Sequence, residues 1–391
     1  MTKLADYMNA SNTLPAKGLF VGRVWNPAVD GPCVVRRDGD QLIDITSAFP
    51  TMRDLCEAND PAQAARAVTG TSLGSIDAIL ANTPPETRDT SKPWLLAPVD
   101  LQALKAAGVT FATSMLERVI EERARGNPEA AAEIRSTIGS LIGSDLSKLR
   151  AGSPEAMELK KVLMEKGAWS QYLEVGIGPD AEIFTKSQVM SAVGHGMEAG
   201  LNPISTWNNP EPEVVIAVAS DGRIVGAMLG NDVNLRDVEG RSALLLGKAK
   251  DNNASCALGP MIRLFDASFS LDDIRNMQLA LRVEGEDGYV LNGASNMSKI
   301  SRDPADLAGQ MLNRHHQYPD GAILFLGTLF APTEDRDAPG KGFTHKLGDI
   351  VTVSSPELGA LTNRMTSTGK AAPWTWGTSH LMRNLAKRGL L

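Results

Sequence analysis

The chain has 391 residues, 42% of them hydrophobic and 22% charged, with a net charge of −7 and an isoelectric point near 5.4. That is enough apolar material for one large globular domain and a smaller one, and no basic run stands out to suit nucleic acid or an anionic membrane. No apolar stretch is long enough to span a bilayer, the first seven residues lack the apolar centre of a signal peptide, and Cys33, Cys56 and Cys256 have no metal-binding spacing, so a cytoplasmic protein with reduced thiols is expected.

Residues 1–94 alternate short strand-like pieces with turns, including a strand over 18–25 and a hairpin over 32–43 that turns at Asp38-Gly39, and are read as a smaller N-terminal α/β domain. A polar, proline-rich connector over 83–93 ends it, and residues 95–391 form the second domain. From Asp100 to Gly126 the pattern is helical, with Glu117, Glu121 and Glu122 near Arg118 and Arg123 on a face expected to be exposed. Residues 128–166 read as an insert of two or three helices. Beyond Gly176 short strands dominate, among them 279–284, 322–327 and 349–353. No strand is followed by Gly-x-Gly-x-x-Gly and no Gly-Lys-Ser/Thr loop is present, which removes dinucleotide and P-loop readings.

The most informative segment is Pro210-Glu211-Pro212-Glu213 followed by an apolar run, the turn signal Asp221-Gly222, and a second apolar run ending in Gly230-Asn231-Asp232. A two-residue Asp-Gly loop pairs 213 with 230 and 211 with 232. Side chains two apart share a face and opposed partners lie roughly 5 Å apart, so Glu211, Glu213 and Asp232 converge, with Gly230 leaving room beside them. Both strands are apolar on both faces, which marks a buried hairpin. Acids clustered at its end repel one another and lose hydration, and a hard divalent cation relieves both.

These residues resemble the fumarylacetoacetate hydrolase superfamily, which carries Glu-x-Glu on one strand and Gly-Asn-Asp on the next. The resemblance continues in order: Phe184-Thr185-Lys186 upstream, then Val193-Gly194-His195-Gly196, Arg236-Asp237, Lys250 before Leu258-Gly259-Pro260, Gly327-Thr328, Leu347-Gly348-Asp349 and Leu361-Thr362-Asn363. It implies an α+β, mostly β fold with a β-barrel-like catalytic core, a helical insert and the smaller N-terminal domain. It further implies Mg²⁺ or Mn²⁺ on Glu211, Glu213 and Asp232, an active-site lysine at Lys250 with Lys248 as the second candidate, and Thr328 on a substrate carboxylate. Lys186 and Arg236 fall among the substrate-binding positions, with a structural ion pair as the other reading of Lys186. A homodimer or homotetramer is expected, since relatives are oligomers.

Hydrolytic members place a His and a Glu ahead of the metal site to activate water. Here the matching segment, Gly108 to Glu117, keeps Glu117 and carries Ser114 in place of the histidine. Serine has no basic nitrogen, so the dyad for C–C cleavage is incomplete. The glutamine that often follows the Arg-Asp pair in hydrolases is replaced by Val238-Glu239. The resemblance is to the branch that dehydrates 2-keto-3-deoxy sugar acids, pentonates giving 2-oxoglutarate semialdehyde. Lys250, its pKa depressed by the nearby bound cation, as base and Glu117 as acid are the expected pair, in either order, with Ser114 positioning water or a hydroxyl and Ser295 and Asn296 binding a polyol. The alternatives are an acylpyruvate-type hydrolase in which a base such as His195 replaces the missing ring, and a keto-acid binder without turnover.

Overall fold

The structure, a computed structural model, describes residues 3–125, 127, 131, 149–165, 167, 169–330, 332–339 and 342–391. At its centre lies the hairpin of strands Pro212–Val218 and Ile224–Asp232. It belongs to an eleven-stranded sheet that runs, neighbour to neighbour, Thr71–Ser75, Gln41–Asp44, Gly31–Asp38, Phe20–Asn26, Cys256–Leu264, Ile224–Asp232, Pro212–Val218, Ala322–Phe325, Ala103–Ala107 and Ile183–Ser187, with Trp94–Leu96 paired beside Phe20–Asn26. A second sheet of five strands has the order Val290–Asn296, Gln278–Glu284, Ile350–Ser355, Gly359–Ser367 and Glu198–Leu201.

The unbroken apolar run follows from this layering. Val214, Ile216 and Val218 face a core shared with Leu279, Leu281, Val283, Val353 and Leu361 of the second sheet. Val215, Ala217 and Ala219 face the opposite way, onto Leu55, Ala62 and Ala65 of the helices Met52–Glu57 and Pro61–Ala67. Alternate side chains therefore enter two different cores, which demands apolar residues at every position.

The hairpin keeps the expected pairing at its functional end, Gly230 opposite Glu213, but by another route. The turn spans Ser220, Asp221 and Gly222 between Ala219 and Arg223, one residue longer than expected, and an irregularity between Ile224 and Gly226 restores the register. Two other expectations are corrected. The segment expected to be helical from Asp100 begins as the strand Ala103–Ala107, parallel to Ala322–Phe325, and only Ala112–Arg123 is helix. Its Leu-Lys-Ala-Ala sequence favours helix in isolation, yet two flanking strands supply backbone partners that override that preference. Gly230 does not make room for the acids, because a Cβ there would meet Phe325 and Val215 at 2.4 and 2.5 Å.

Of the insert expected over 128–166, most lies outside the described residues. Within them, Pro154–Glu165 and Gln171–Ile177 are helices that pack with Ala112–Arg123 through Met115, Val119, Ile120, Leu163 and Leu173. Among the described residues no helix is long and apolar enough to cross a membrane.

Candidate metal centre and active-site pocket

Glu211, Glu213 and Asp232 are buried, and one carboxylate oxygen from each lies within 4.8 Å of the others. The backbone explains their convergence. Asn231 Oδ1 accepts the Glu211 N–H at 3.1 Å and the Asp232 N–H donates to the Glu211 carbonyl at 3.0 Å, which locks the two strand ends together. Behind Glu213 the Gly327 N–H donates to Oε2 at 2.7 Å. Gly327 has φ +97°, and a Cβ would stand 1.9 Å from Thr110 Oγ1, so only glycine fits this approach.

Four buried cations surround the acids. Lys250, at the end of the short helix Leu246–Lys250, hydrogen-bonds Glu211 Oε2 and reaches Asp232 Oδ2 at 3.1 Å. Lys186 Nζ stands 3.0 Å from Asp232 Oδ1 and also contacts Ser255 Oγ at 3.2 Å and the Lys250 carbonyl. Arg118 pairs with Glu211 through Nη2, while its Nη1 bonds Glu121 at 2.6 Å and lies 3.1 Å from Glu239 Oε2. Arg236 bonds Glu121 at 2.7 Å, Glu117 at 3.3 Å and the Pro332 carbonyl at 2.9 Å, with its guanidinium 4.5 Å from the Trp207 ring centroid.

The acids of this cluster, Glu117, Glu121, Glu211, Glu213, Asp232, Glu239 and, at its rim, Glu182, outnumber those cations. Burial, then the charges of Asp232 and Glu211, hold Glu213 well above the usual carboxylate range. Burial also raises Glu211, opposed by Lys250 and Arg118. The deficit of positive charge, focused on three converging carboxylates, fits a divalent cation with oxygen ligands.

Beside the triad a narrow cavity, with about 20 Å³ of room for the centre of a water molecule, is lined by Gly108, Val109, Arg118, Glu182, Phe184, Glu211, Glu213, Asp232, Glu239, Lys250 and Thr328, with Ala107. Thr328 donates to the Phe330 carbonyl at 2.9 Å and faces this space. Val109 holds φ +57°, a strained conformation for a β-branched residue that is found mostly at functional sites.

Several expected assignments change. Glu117 and Arg118 are buried, as is Glu121, so the face of the helix expected to be exposed is the one turned to the site. Glu117 is directed to Arg236 and does not line the cavity, and Arg236 is spent on Glu117, Glu121 and a carbonyl. Lys186 lies behind Asp232, its reading as a structural ion pair. Burial alone would lower the pKa of Lys250, but Asp232 and Glu211 outweigh it and hold the ammonium above its ordinary range. Ser295 and Asn296 sit on the edge strand Val290–Asn296, away from the cavity; Asn296 caps the following turn through the Ser298 N–H at 2.8 Å. Ser114 is on the helix Ala112–Arg123, but its side chain falls outside the described residues. His195 is buried and does not line the cavity, accepting the Thr362 N–H on Nδ1 at 3.0 Å, and burial depresses its pKa to about 3.

Three lining residues were missed as site residues: Glu182, Arg118 and Glu239. Glu182 precedes the strand Ile183–Ser187, one strand period before Phe184 and two before Lys186, so period-2 alternation carried upstream of Phe-x-Lys reaches it. No side-chain hydrogen bond to it is found among the described residues, and burial, then the Glu239 charge, push its carboxyl up to about 7.

Two packed sheets thus hold a buried three-carboxylate centre, suited to a divalent cation, at the end of the central hairpin. Residues 209–366 match the fumarylacetoacetate (FAA) hydrolase C-terminal family. It is 32% identical over 183 residues to 2-dehydro-3-deoxy-D-arabinonate dehydratase of Saccharolobus solfataricus, which covers 46% of this chain and 57% of the relative. It is 29% identical over 196 residues to a probable 2-keto-3-deoxyxylonate dehydratase of Haloferax volcanii, covering 50% of this chain and 64% of the relative. The match thus spans less than two thirds of each curated relative. A solved structure of 2-keto-3-deoxy-D-arabinonate dehydratase complexed with magnesium and 2,5-dioxopentanoate superposes with a TM-score of 0.59 at 20% identity, covering 90% of this chain and 99% of that one; the likeness is one of fold.

Proposed function

We propose that the protein is a metal-dependent hydro-lyase that converts a 2-keto-3-deoxy-pentonate to 2,5-dioxopentanoate (2-oxoglutarate semialdehyde) and water. The observation that carries the reading is the triad of Glu211, Glu213 and Asp232 opening on a cavity that also holds Lys250 and Glu182. The named activity of both curated relatives supports it.

The triad would hold Mg²⁺ or Mn²⁺, and when bound the ion supplies the positive charge that stabilises anion building on the C2 oxygen as a proton leaves C3. Thr328 would turn its hydroxyl proton from the Phe330 carbonyl to the substrate carboxylate at the cavity wall. Glu182, unpaired and with a pKa near neutrality, takes the C3 proton. Lys250, already donating to two carboxylates, directs a further N–H at the departing C4 hydroxyl. Loss of the C3 proton and C4 hydroxide removes one water. A proton then moves from C5 to C3 through the dienol, and ketonisation of the C5 enol gives the aldehyde.

The hydrolase reading needs a basic ring beside the acid, and among the described residues lining the cavity there is no histidine. The test is a coupled assay with Mg²⁺ in which 2-keto-3-deoxy-xylonate and 2-keto-3-deoxy-arabinonate are supplied and semialdehyde is read through NAD(P)-dependent oxidation. Semialdehyde from either substrate, abolished by EDTA, is expected. Pyruvate released from an acylpyruvate, with no semialdehyde, would overturn the assignment.

A further inference from the structure

We infer that Glu239 is a specificity-determining residue that accepts a hydrogen bond from a hydroxyl of the substrate remote from its keto acid end, the C5 hydroxyl in a pentonate. The inference rests on the keto-acid reading above. Glu239 ends the short helix Arg236–Glu239, is 5% exposed, and lines the same cavity as the triad. Its Oε2 is buried without a hydrogen-bond partner among the described residues. Arg118 Nη1 forms an ion pair with it at 3.1 Å, but that nitrogen's hydrogen bond goes to Glu121 at 2.6 Å, so the two carboxylates share one guanidinium nitrogen. A buried carboxylate oxygen with a shared ion pair and no hydrogen bond of its own keeps acceptor capacity unused, so at the cavity wall it is open to a donor that arrives with the ligand.

Position decides which donor. Arg118 stands between the metal centre and Glu239, one amino group on Glu211 and the other beside Glu239. A keto acid anchored at the triad presents its carboxylate and C2 oxygen there, and only its distal carbons extend across the guanidinium. A carboxylate is acceptor-only, so it selects a hydroxyl and rejects both a methyl group, which leaves it unpaired, and a second carboxylate, which repels it. The chain would thereby separate polyhydroxy keto acids from the dicarboxylic and aliphatic keto acids that the same metal centre could hold.

The test uses the full chain loaded with Mg²⁺ and two ligands without a C4 hydroxyl, 5-hydroxy-2-oxopentanoate and 2-oxopentanoate, titrated calorimetrically into wild type, Glu239→Gln and Glu239→Ala. Ring closure lowers the free open-chain concentration of the hydroxylated ligand, so its affinities are referred to the open-chain fraction measured by NMR. Wild type should prefer the hydroxylated ligand by about ten- to a hundredfold, as a hydrogen bond to a charged acceptor allows. Glu239→Gln should keep part of the preference, and Glu239→Ala should lose it while binding 2-oxopentanoate as wild type does. No preference in wild type, a preference unchanged in Glu239→Ala, or equal weakening of both ligands would overturn the inference. Neither ligand is eliminated, so a preference that depends on Glu239 in a protein that dehydrates no pentonate would sink the proposed reaction and leave this assignment standing.

Discussion

In the proposed reaction Glu182 takes the part that the sequence suggests for Glu117, and the reason is their partners. Glu117 pairs with the Arg236 guanidinium, whereas no ion pair to Glu182 is found among the described residues, and burial pushes its cavity-lining carboxyl up to about 7. A base works in its ionised form, so kcat/KM should rise with pH along an acid limb at or below about pH 7, the bound cation moving the limb downward. Glu182→Gln should lower kcat by about 10²- to 10⁴-fold and remove that limb, and a limb unchanged in the variant would assign the base elsewhere. Glu213→Ala should abolish turnover and weaken Mg²⁺ binding in a calorimetric titration, since one of three ligands is gone. The triad was legible because its motif is local, two residues on one strand and one on the next. The charge network around it was not, because Arg118, Glu239 and Glu182 come from separate helices and a strand that only the tertiary fold brings together.

At the scale of elements, the hairpin shows how a correct pairing can be reached from an incorrect turn. The expected two-residue loop is a three-residue one, and the irregularity before Gly226 absorbs the extra residue, since a slip of one would turn Glu213 onto the opposite face. The loop after Ala322–Phe325 supports the centre through Gly327. Gly327→Ala should strain the backbone by about 1–3 kcal/mol and weaken metal binding more than overall stability, because the N–H aimed at Glu213 moves; calorimetry with and without Mg²⁺ separates the two. Farther along, Arg336 makes a two-pronged contact with buried Asp349 at 2.6 and 2.8 Å. Removing the cation in Arg336→Ala should cost about 3–5 kcal/mol in denaturant unfolding. Burial alone would raise the pKa of Asp349, but Arg336 and His345 outweigh it and hold it below the usual value. That stabilisation is therefore present above the unfolded carboxyl pKa of about 3.9 and is lost as pH falls through the lower folded value.

Over the whole molecule, the N-terminal strands share a sheet with the site. Phe20 and Val21 pair with Arg263 and Ile262 of the strand that also pairs with Ile224–Asp232, so the hydrogen-bonded ladder is continuous from Thr71–Ser75 to the metal centre. Calorimetric unfolding should accordingly show one transition, and two resolved transitions would mean that residues before the connector fold as an independent unit. The composition of those residues, with their own turns and short strands, gives no sign of this continuity, because sheet neighbours distant in sequence leave no local pattern. The central claim is metal-dependent loss of water from a 2-keto-3-deoxy-pentonate, and proton NMR of the reaction with Mg²⁺ tests it most directly. Wild type should produce the aldehyde signal of 2,5-dioxopentanoate, and neither the EDTA-treated enzyme nor Glu213→Ala should do so. Absence of the aldehyde from the Mg²⁺-loaded wild type, or its undiminished appearance in Glu213→Ala, would contradict the account.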